Sequence, residues 1–247
     1  MQPDVLAYRR FYASPLGACV ADIVSAHIKA MAGHVFASPQ TMVAALGYGL
    51  PYLDRLELTA RTHFALMTGG MGAVRWPVSG PSRSALVTGV ALPLADDSLD
   101  GLLLTHALEH ASQPEVLLRE VWRVLKPGGQ VIALVPNRRR IWSALDRTPF
   151  GYGRPFSRTQ LSHEMERRMF QTGDTVSAMM LPPFEGRLGV RLVRGLERPV
   201  RYLAPAFGGV LLMQGTKHVY TPAFDSSHRQ KRRMAVGVGM PAGVARS

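Results

Sequence analysis

Between Leu92 and Asn137 the apolar and polar positions fall into blocks that predict one strand–helix–strand unit. Gly101–Thr105 is an apolar run of strand length, and the acidic turn Asp96-Asp97-Ser98-Leu99-Asp100 precedes it. Ser112 and Glu115 have capping-box spacing, and Pro114 falls in the first helical turn, where its missing N–H is harmless. Leu117, Leu118, Val121, Trp122 and Leu125 then recur at spacings of three and four, which predicts one apolar helix face. Lys126-Pro127-Gly128-Gly129 ends that helix, and Val131–Val135 reads as the next strand. Two apolar strands joined by a helix pair in parallel with a right-handed crossover.

The same periods organise the rest of the chain. Residues 1–33 read as helical, with Ser14-Pro15 as a helix start and Gly33 as the stop. Leu16, Val20, Ile23, Val24, His27, Ile28 and Met31 share one face there. Thr41–Leu46 predicts the first strand, Gly47-Tyr48-Gly49 a turn, and Pro51–Leu58 a short helix. His63–Thr68 and Ser84–Thr88 predict two further strands, separated by a long loop rich in Gly and Pro. After the central unit, Ser157 is expected to cap a helix through Phe170. Thr175–Leu181 reads as a strand, Leu188–Leu203 as a helix and Val210–Tyr220 as the last strand. Three regions result: a helical segment over 1–33, an α/β domain over 34–222, and a polar, basic tail over 223–247 expected to be disordered.

The central unit resembles the second half of the class I S-adenosylmethionine (SAM)-dependent methyltransferases, in the branch that methylates quinones and other small molecules. The residues carrying the resemblance are Leu92-Pro93, the acids Asp96, Asp97 and Asp100, the run Leu108-Glu109-His110, and Glu120-Val121-Trp122-Arg123-Val124-Leu125-Lys126-Pro127-Gly128-Gly129. The resemblance implies a doubly wound, Rossmann-like, seven-stranded, mostly parallel sheet whose last strand inserts antiparallel. It also implies SAM as cofactor and a small molecule as methyl acceptor.

A doubly wound sheet binds ligands beyond the carboxyl ends of its strands, near the point where strand order reverses. That rule and the resemblance single out Gly47, Tyr48 and Gly49 after the first strand, Thr68 after the second, Thr88 and Gly89 after the third, and His106 after the fourth as the cofactor set. The chain departs from the family at three acids. Ala45 stands two positions before Gly47, Leu66-Met67-Thr68-Gly69-Gly70 ends the second strand, and Thr88 ends the third. A carboxylate can accept two ribose hydroxyls, and such charged hydrogen bonds contribute roughly 1.5–3 kcal/mol each. The departure leaves two readings: a methyltransferase that holds SAM by backbone and hydroxyl contacts, or a non-catalytic methyltransferase-like protein that binds a partner protein or serves as another enzyme's subunit.

For the substrate side, His110 is a candidate base or contact, equally readable as a loop histidine, and Tyr152 and Arg154 fall in the segment that covers the substrate in related enzymes. His106-Ala107-Leu108-Glu109-His110 also spells a zinc-peptidase signature, but it starts at a strand end rather than on a helix, so no metal is expected.

Composition sharpens this only slightly. The net charge of +12 is uneven: residues 1–120 carry 8 Lys+Arg against 10 Asp+Glu, and the remainder carry 21 against 7. A basic half can meet nucleic acid, but no amino-methylating Asn/Asp-Pro-Pro-aromatic motif follows the fourth strand, so nucleic acid is not the expected partner. No run of membrane-spanning length stands out, and the single Cys19 fits a reducing, cytoplasmic setting.

Overall fold

The computed structural model describes residues 2–56, 62–138, 148–182, 189, 191, 193, 195–197 and 208–219. Seven strands form one sheet in the order β3-β2-β1-β4-β5-β7-β6. They are β1 Met42–Gly47, β2 Thr62–Thr68, β3 Ser84–Val87, β4 Leu99–Thr105, β5 Leu125–Pro136, β6 Phe170–Ala178 and β7 Val210–Lys217. The first five pair in parallel, and β7 runs antiparallel between β5 and β6. This is the sheet that the resemblance implies. Strand order reverses between β1 and β4, so a crevice opens where their carboxyl ends diverge.

Strand residues alternate between two cores. On one face, Val43, Ala45, Ala65, Met67, Leu103 and Ile132 pack against helices α1 (Val5–Ala13) and α2 (Pro15–Phe36) and against Trp76 of the β2–β3 connection. On the other, Ala44, Leu46, Leu102, Leu104 and Val131 pack against α4 (Pro114–Val124) and α5 (Arg158–Glu166). Helix α3 (Leu50–Leu53) is one turn long, and residues 69–83 between β2 and β3 form no helix.

The N-terminal helical segment is two helices. Ser14 ends α1 and caps α2, accepting the Gly17 N–H at 3.1 Å. Helix α2 runs past Gly33, with one non-helical residue at Ala32, because its apolar face continues to Phe36 on the sheet. By length and composition α2 could cross a membrane, contrary to the expectation from sequence, but 56% of its most apolar window is buried inside the fold.

The capping box expected at Ser112 is absent. Helix α4 starts after Gln113, because Leu108–His110 forms a 3-10 turn that shifts the entry by one residue. The box that does form joins Ser157 and Gln160 at the start of α5. That helix stops at Glu166 and not at Phe170, since Phe170 already pairs with Lys217 in the sheet. The predicted helix over 188–203 lies mostly outside the described residues, as does the basic tail.

The residues that carry the resemblance fasten the β3–β4 connection to α4. Glu120 accepts the Leu92 N–H at 2.8 Å, and Arg123 donates to the Leu92 and Leu94 carbonyls, to Asp96 at 2.6 Å and to Glu120. Arg123 therefore holds the Glu120 carboxyl below its usual range, and the two carboxylates push the guanidinium up. Asp100 binds the Met42 N–H and, through both oxygens, the Lys126 ammonium, so it joins the starts of β1, β4 and β5.

Candidate functional site

The turn after β1 stands at the reversal of strand order. Gly47 has φ +93, and a Cβ there would strike the Thr105 carbonyl of β4. A Cβ on Gly49 would strike the Ala45 side chain. Both glycines are thus required by the closeness of β1, β4 and the turn itself. The Tyr48 N–H donates to the Thr105 carbonyl at 3.1 Å and is not free for a ligand.

Beyond the ends of β2, β3 and β4 lies a cavity of about 260 Å3. Thr68, Gly69, Gly70, Gly89, Val90 and Ala107 form its walls, and His110 and Gln2 lie at its edge. No acidic side chain lines it. Thr88 is exposed and turned away, donating to the Ala91 carbonyl at 3.2 Å. Of the expected cofactor residues, the cavity therefore brings together Thr68 and Gly89 but not Gly47, Tyr48, Gly49, Thr88 or His106. The volume falls just short of the roughly 300–1,000 Å3 usual for small-molecule pockets.

Helix α1 lies across the crevice between the glycine turn and the end of β4. Its Tyr8 ring stacks on Tyr48 at 5.1 Å and lies 4.7 Å from the His106 ring, so it spans the crevice from the glycine turn to the end of β4. Tyr8 Oη meets His110 Nε2 at 3.3 Å. One turn on, Tyr12 Oη lies 2.7 Å from His106 Nε2 and 2.6 Å from Tyr52 Oη. Burial raises all four tyrosine pKa values, that of Tyr48 to about 12, so these phenols are neutral.

His106 is fully buried with φ 52, a left-handed backbone that non-glycine residues adopt at a cost of roughly 1–3 kcal/mol, usually at functional sites. Its Nδ1 lies 3.3 Å from Glu109 Oε1, whose side chain is also buried. The pair is misaligned for a hydrogen bond: His106 Nδ1 and both Glu109 oxygens have no hydrogen-bond partner, and neither does Thr105 Oγ1. Burial lowers the His110 pKa, against an opposing pull from Glu109.

The segment after β5 closes the site from the far side. Phe150 packs on His106 at 4.9 Å, and the Arg154 N–H donates to the Glu109 carbonyl at 2.7 Å. Gly153 sits so tightly on Glu109 and His110 that a Cβ there would collide with both. Tyr152 is half-buried and Arg154 exposed at the rim, while Phe156 belongs to the core beneath the sheet's other face. No cluster of three or more metal-ligating side chains occurs among the described residues. Sequence reasoning missed Tyr8, Tyr12, Tyr52, Glu109 and Phe150 as members of this site. The i, i+4 spacing of Tyr8 and Tyr12 on α1 was the available signal.

Residues 79–133 match the family described as "Methyltransferase domain". An uncharacterized methyltransferase of Mycobacterium bovis is 46% identical over 52 residues, covering 21% of this chain and 20% of that protein. The ubiquinone/menaquinone biosynthesis C-methyltransferase of Rubrivivax gelatinosus is 33% identical over 99 residues, covering 30% of this chain and 39% of that protein. The matches thus span about a fifth to two-fifths of these relatives' lengths. A SAM-dependent methyltransferase structure from Thermotoga maritima shares the fold with a TM-score of 0.58 at 18% identity, over 86% of this chain and 95% of that one. One from Archaeoglobus fulgidus gives 0.55 at 16% identity, over 86% and 98%.

Proposed function

We propose that the chain is a class I SAM-dependent methyltransferase that transfers a methyl group from SAM to a small-molecule acceptor, a reading supported by the matched methyltransferase segment and the shared fold. The observation that carries this is the cavity beyond the carboxyl ends of β2, β3 and β4, beside the reversal of strand order and lined by Thr68, Gly69, Gly70, Gly89, Val90 and Ala107 among others. Its neutral, glycine-rich walls fit the nucleoside half of SAM, which carries no charge. Thr68 Oγ1 and the backbone around Gly69 and Gly70 take the ribose hydroxyls, while Gly89 and Leu117 border the base. Bound SAM supplies an electrophilic methyl group, and the protein's task is to hold the acceptor in line with it.

The acceptor is expected to approach between α1 and the 148–156 segment, where Phe11, Phe150 and His106 pack ring on ring and Phe150 and His106 are buried. A planar, largely apolar molecule suits those walls, in keeping with the name of the Rubrivivax relative. Tyr152 and Arg154 stand at the rim of this entrance. The test is calorimetric titration of the whole chain with SAM and S-adenosylhomocysteine, together with a thermal melt. Ligand at about 100 times its Kd stabilises the fold by about 2.7 kcal/mol. Micromolar binding is the expected result, and absence of binding at millimolar ligand sinks the proposal.

A further inference from the structure

Glu109 is the least satisfied group in the described structure. Its carboxylate is buried, both oxygens lack a hydrogen bond, and its one ion-pair neighbour among the described residues is the misaligned His106. Buried carboxylates are ordinarily paired or bonded on every oxygen, and an orphan asks for an explanation. The groups facing it come from four places: Tyr8 on α1, Tyr52 on α3, His106 at the end of β4, and His110 on the 3-10 turn. None brings a permanent positive charge. Among the described residues, the α1 tyrosines lie over the histidines on either side of Glu109, Tyr8 against His106 and His110 and Tyr12 against His106.

Helix α1 docks on the core through buried Val5, Tyr8 and Tyr12 with Phe11 packed beside them, and it joins α2 at Ser14. Besides ring contacts, a main-chain bond from Val5 to the Met71 carbonyl and the tyrosine hydroxyls hold it down. The ligand of this site has two halves, and the cavity as it stands takes one. The other half is an amino acid, which carries an ammonium group.

We propose that Glu109 receives the ammonium group of the cofactor's amino-acid half, and that α1 is the gate that must lift Tyr8 and Tyr12 away before it can do so. The proposal rests on the methyltransferase reading above. It assigns an acid to a site whose β1, β2 and β3 ends supply none, and it gives the orphaned carboxylate a cationic partner of the kind its burial demands.

Two ligands separate the halves: S-adenosylhomocysteine, and 5′-methylthioadenosine, which keeps the nucleoside and thioether but lacks the amino acid. Calorimetry on the full chain should show Glu109→Gln weakening S-adenosylhomocysteine at least tenfold, about 1.4 kcal/mol, while methylthioadenosine changes less than twofold. Glu109→Gln removes an unpaired buried charge, so its melting temperature should equal or exceed that of the parent. Tyr8→Ala should tighten S-adenosylhomocysteine at least fivefold by removing the stopper. In the unmodified chain, hydrogen exchange should speed up over residues 5–13 on binding S-adenosylhomocysteine and stay unchanged with methylthioadenosine. Equal S-adenosylhomocysteine affinity in Glu109→Gln, weaker binding in Tyr8→Ala, or slower exchange over 5–13 would each overturn the proposal and leave the methyltransferase reading standing. Failure of both ligands to bind the parent chain would overturn both.

Discussion

The segment from Leu92 to Pro136 and the edge formed by β1, β2 and β3 belong to one sheet, yet they are built very differently. The first has a full helix of 11 residues, two long parallel strands and a connection tied down by Glu120, Arg123 and Asp96. The second has a four-residue helix after β1, no helix between β2 and β3, and a third strand of four residues. The familiar sequence signature lies in the first. Apart from Glu109, the charged residues named in that signature that pair (Asp96, Asp97, Asp100, Glu120, Arg123 and Lys126) do so with other side chains or main-chain groups, so they hold the fold. The cavity lies between the two: Thr68, Gly69, Gly70, Gly89 and Val90 come from the second, and Ala107, His110, Ala111, Ser112, Gln113 and Leu117 from the first. Strength of signature therefore tracks architecture here, and the ligand recognition proposed for α1 and Glu109 draws on residues outside the glycine turn.

The sharpest way to break this comparison is at the seam between the two regions. Gly47→Ala places a side chain against the Thr105 carbonyl in a left-handed backbone. That backbone costs a non-glycine residue about 1–2 kcal/mol, and overpacking adds about 1–3 kcal/mol. A loss of about 3 kcal/mol, or about 6–12 °C in melting temperature for a chain of this size, is the expected outcome in urea and thermal unfolding. Gly69→Ala serves as the contrast, since a Cβ there meets nothing within 4 Å. Its stability should stay within about 0.5 kcal/mol of the parent. Equal damage from both would mean that the turn is not the seam.

Next in size is Arg123→Ala. The guanidinium is about three-tenths exposed, so its ion pairs are partly screened. Its bonds to the Leu92 and Leu94 carbonyls and to Glu120 nevertheless tie a whole connection to α4. Removing it should cost about 2 kcal/mol, near the lower range for hydrogen bonds to charged groups once screening is discounted. Affinity for S-adenosylhomocysteine should change less than twofold. A large loss of affinity with little loss of stability would reverse the assignment and make the signature a binding element.

This division explains what the sequence disclosed. The central unit was legible because apolar period and glycine stops act locally, whereas the seven-stranded topology with its antiparallel last strand came only from the family resemblance. Thr68 and Gly89 were legible as cavity residues because they follow strands. Thr88 was not separable from them, since its turn toward Ala91 depends on a local bridge. Tyr8 and Tyr12 were hidden because nothing in a helical stripe says which surface it covers; they reach His106 across 94 or more residues of chain. Glu109 was read as part of a family run and a metal signature, whereas its meaning comes from burial without a partner, which only three-dimensional packing reveals.

The smallest expected effect concerns His110, at the border of the two regions. Burial depresses its pKa below the ordinary 6.5; the negative Glu109 pulls it up, and His106 adds to the depression. In the unfolded chain the imidazole takes up its proton near pH 6.5, while in the folded chain it resists until a lower pH. Its contribution to stability is therefore complete above about pH 6.5 and is lost as the pH falls from there through the folded value. Melting curves of the parent and of His110→Gln at pH 7.5, 6.5 and 5.5 should diverge, with the parent losing more stability on acidification and the variant showing a flatter profile. The same series with Tyr8→Ala sharpens the point, because lifting that ring opens His110 to water and should flatten the profile even with the histidine in place. If Tyr8→Ala leaves the profile unchanged, the imidazole is shielded by the β4 end and the 148–156 segment instead of by α1, and the two regions meet without the helix between them.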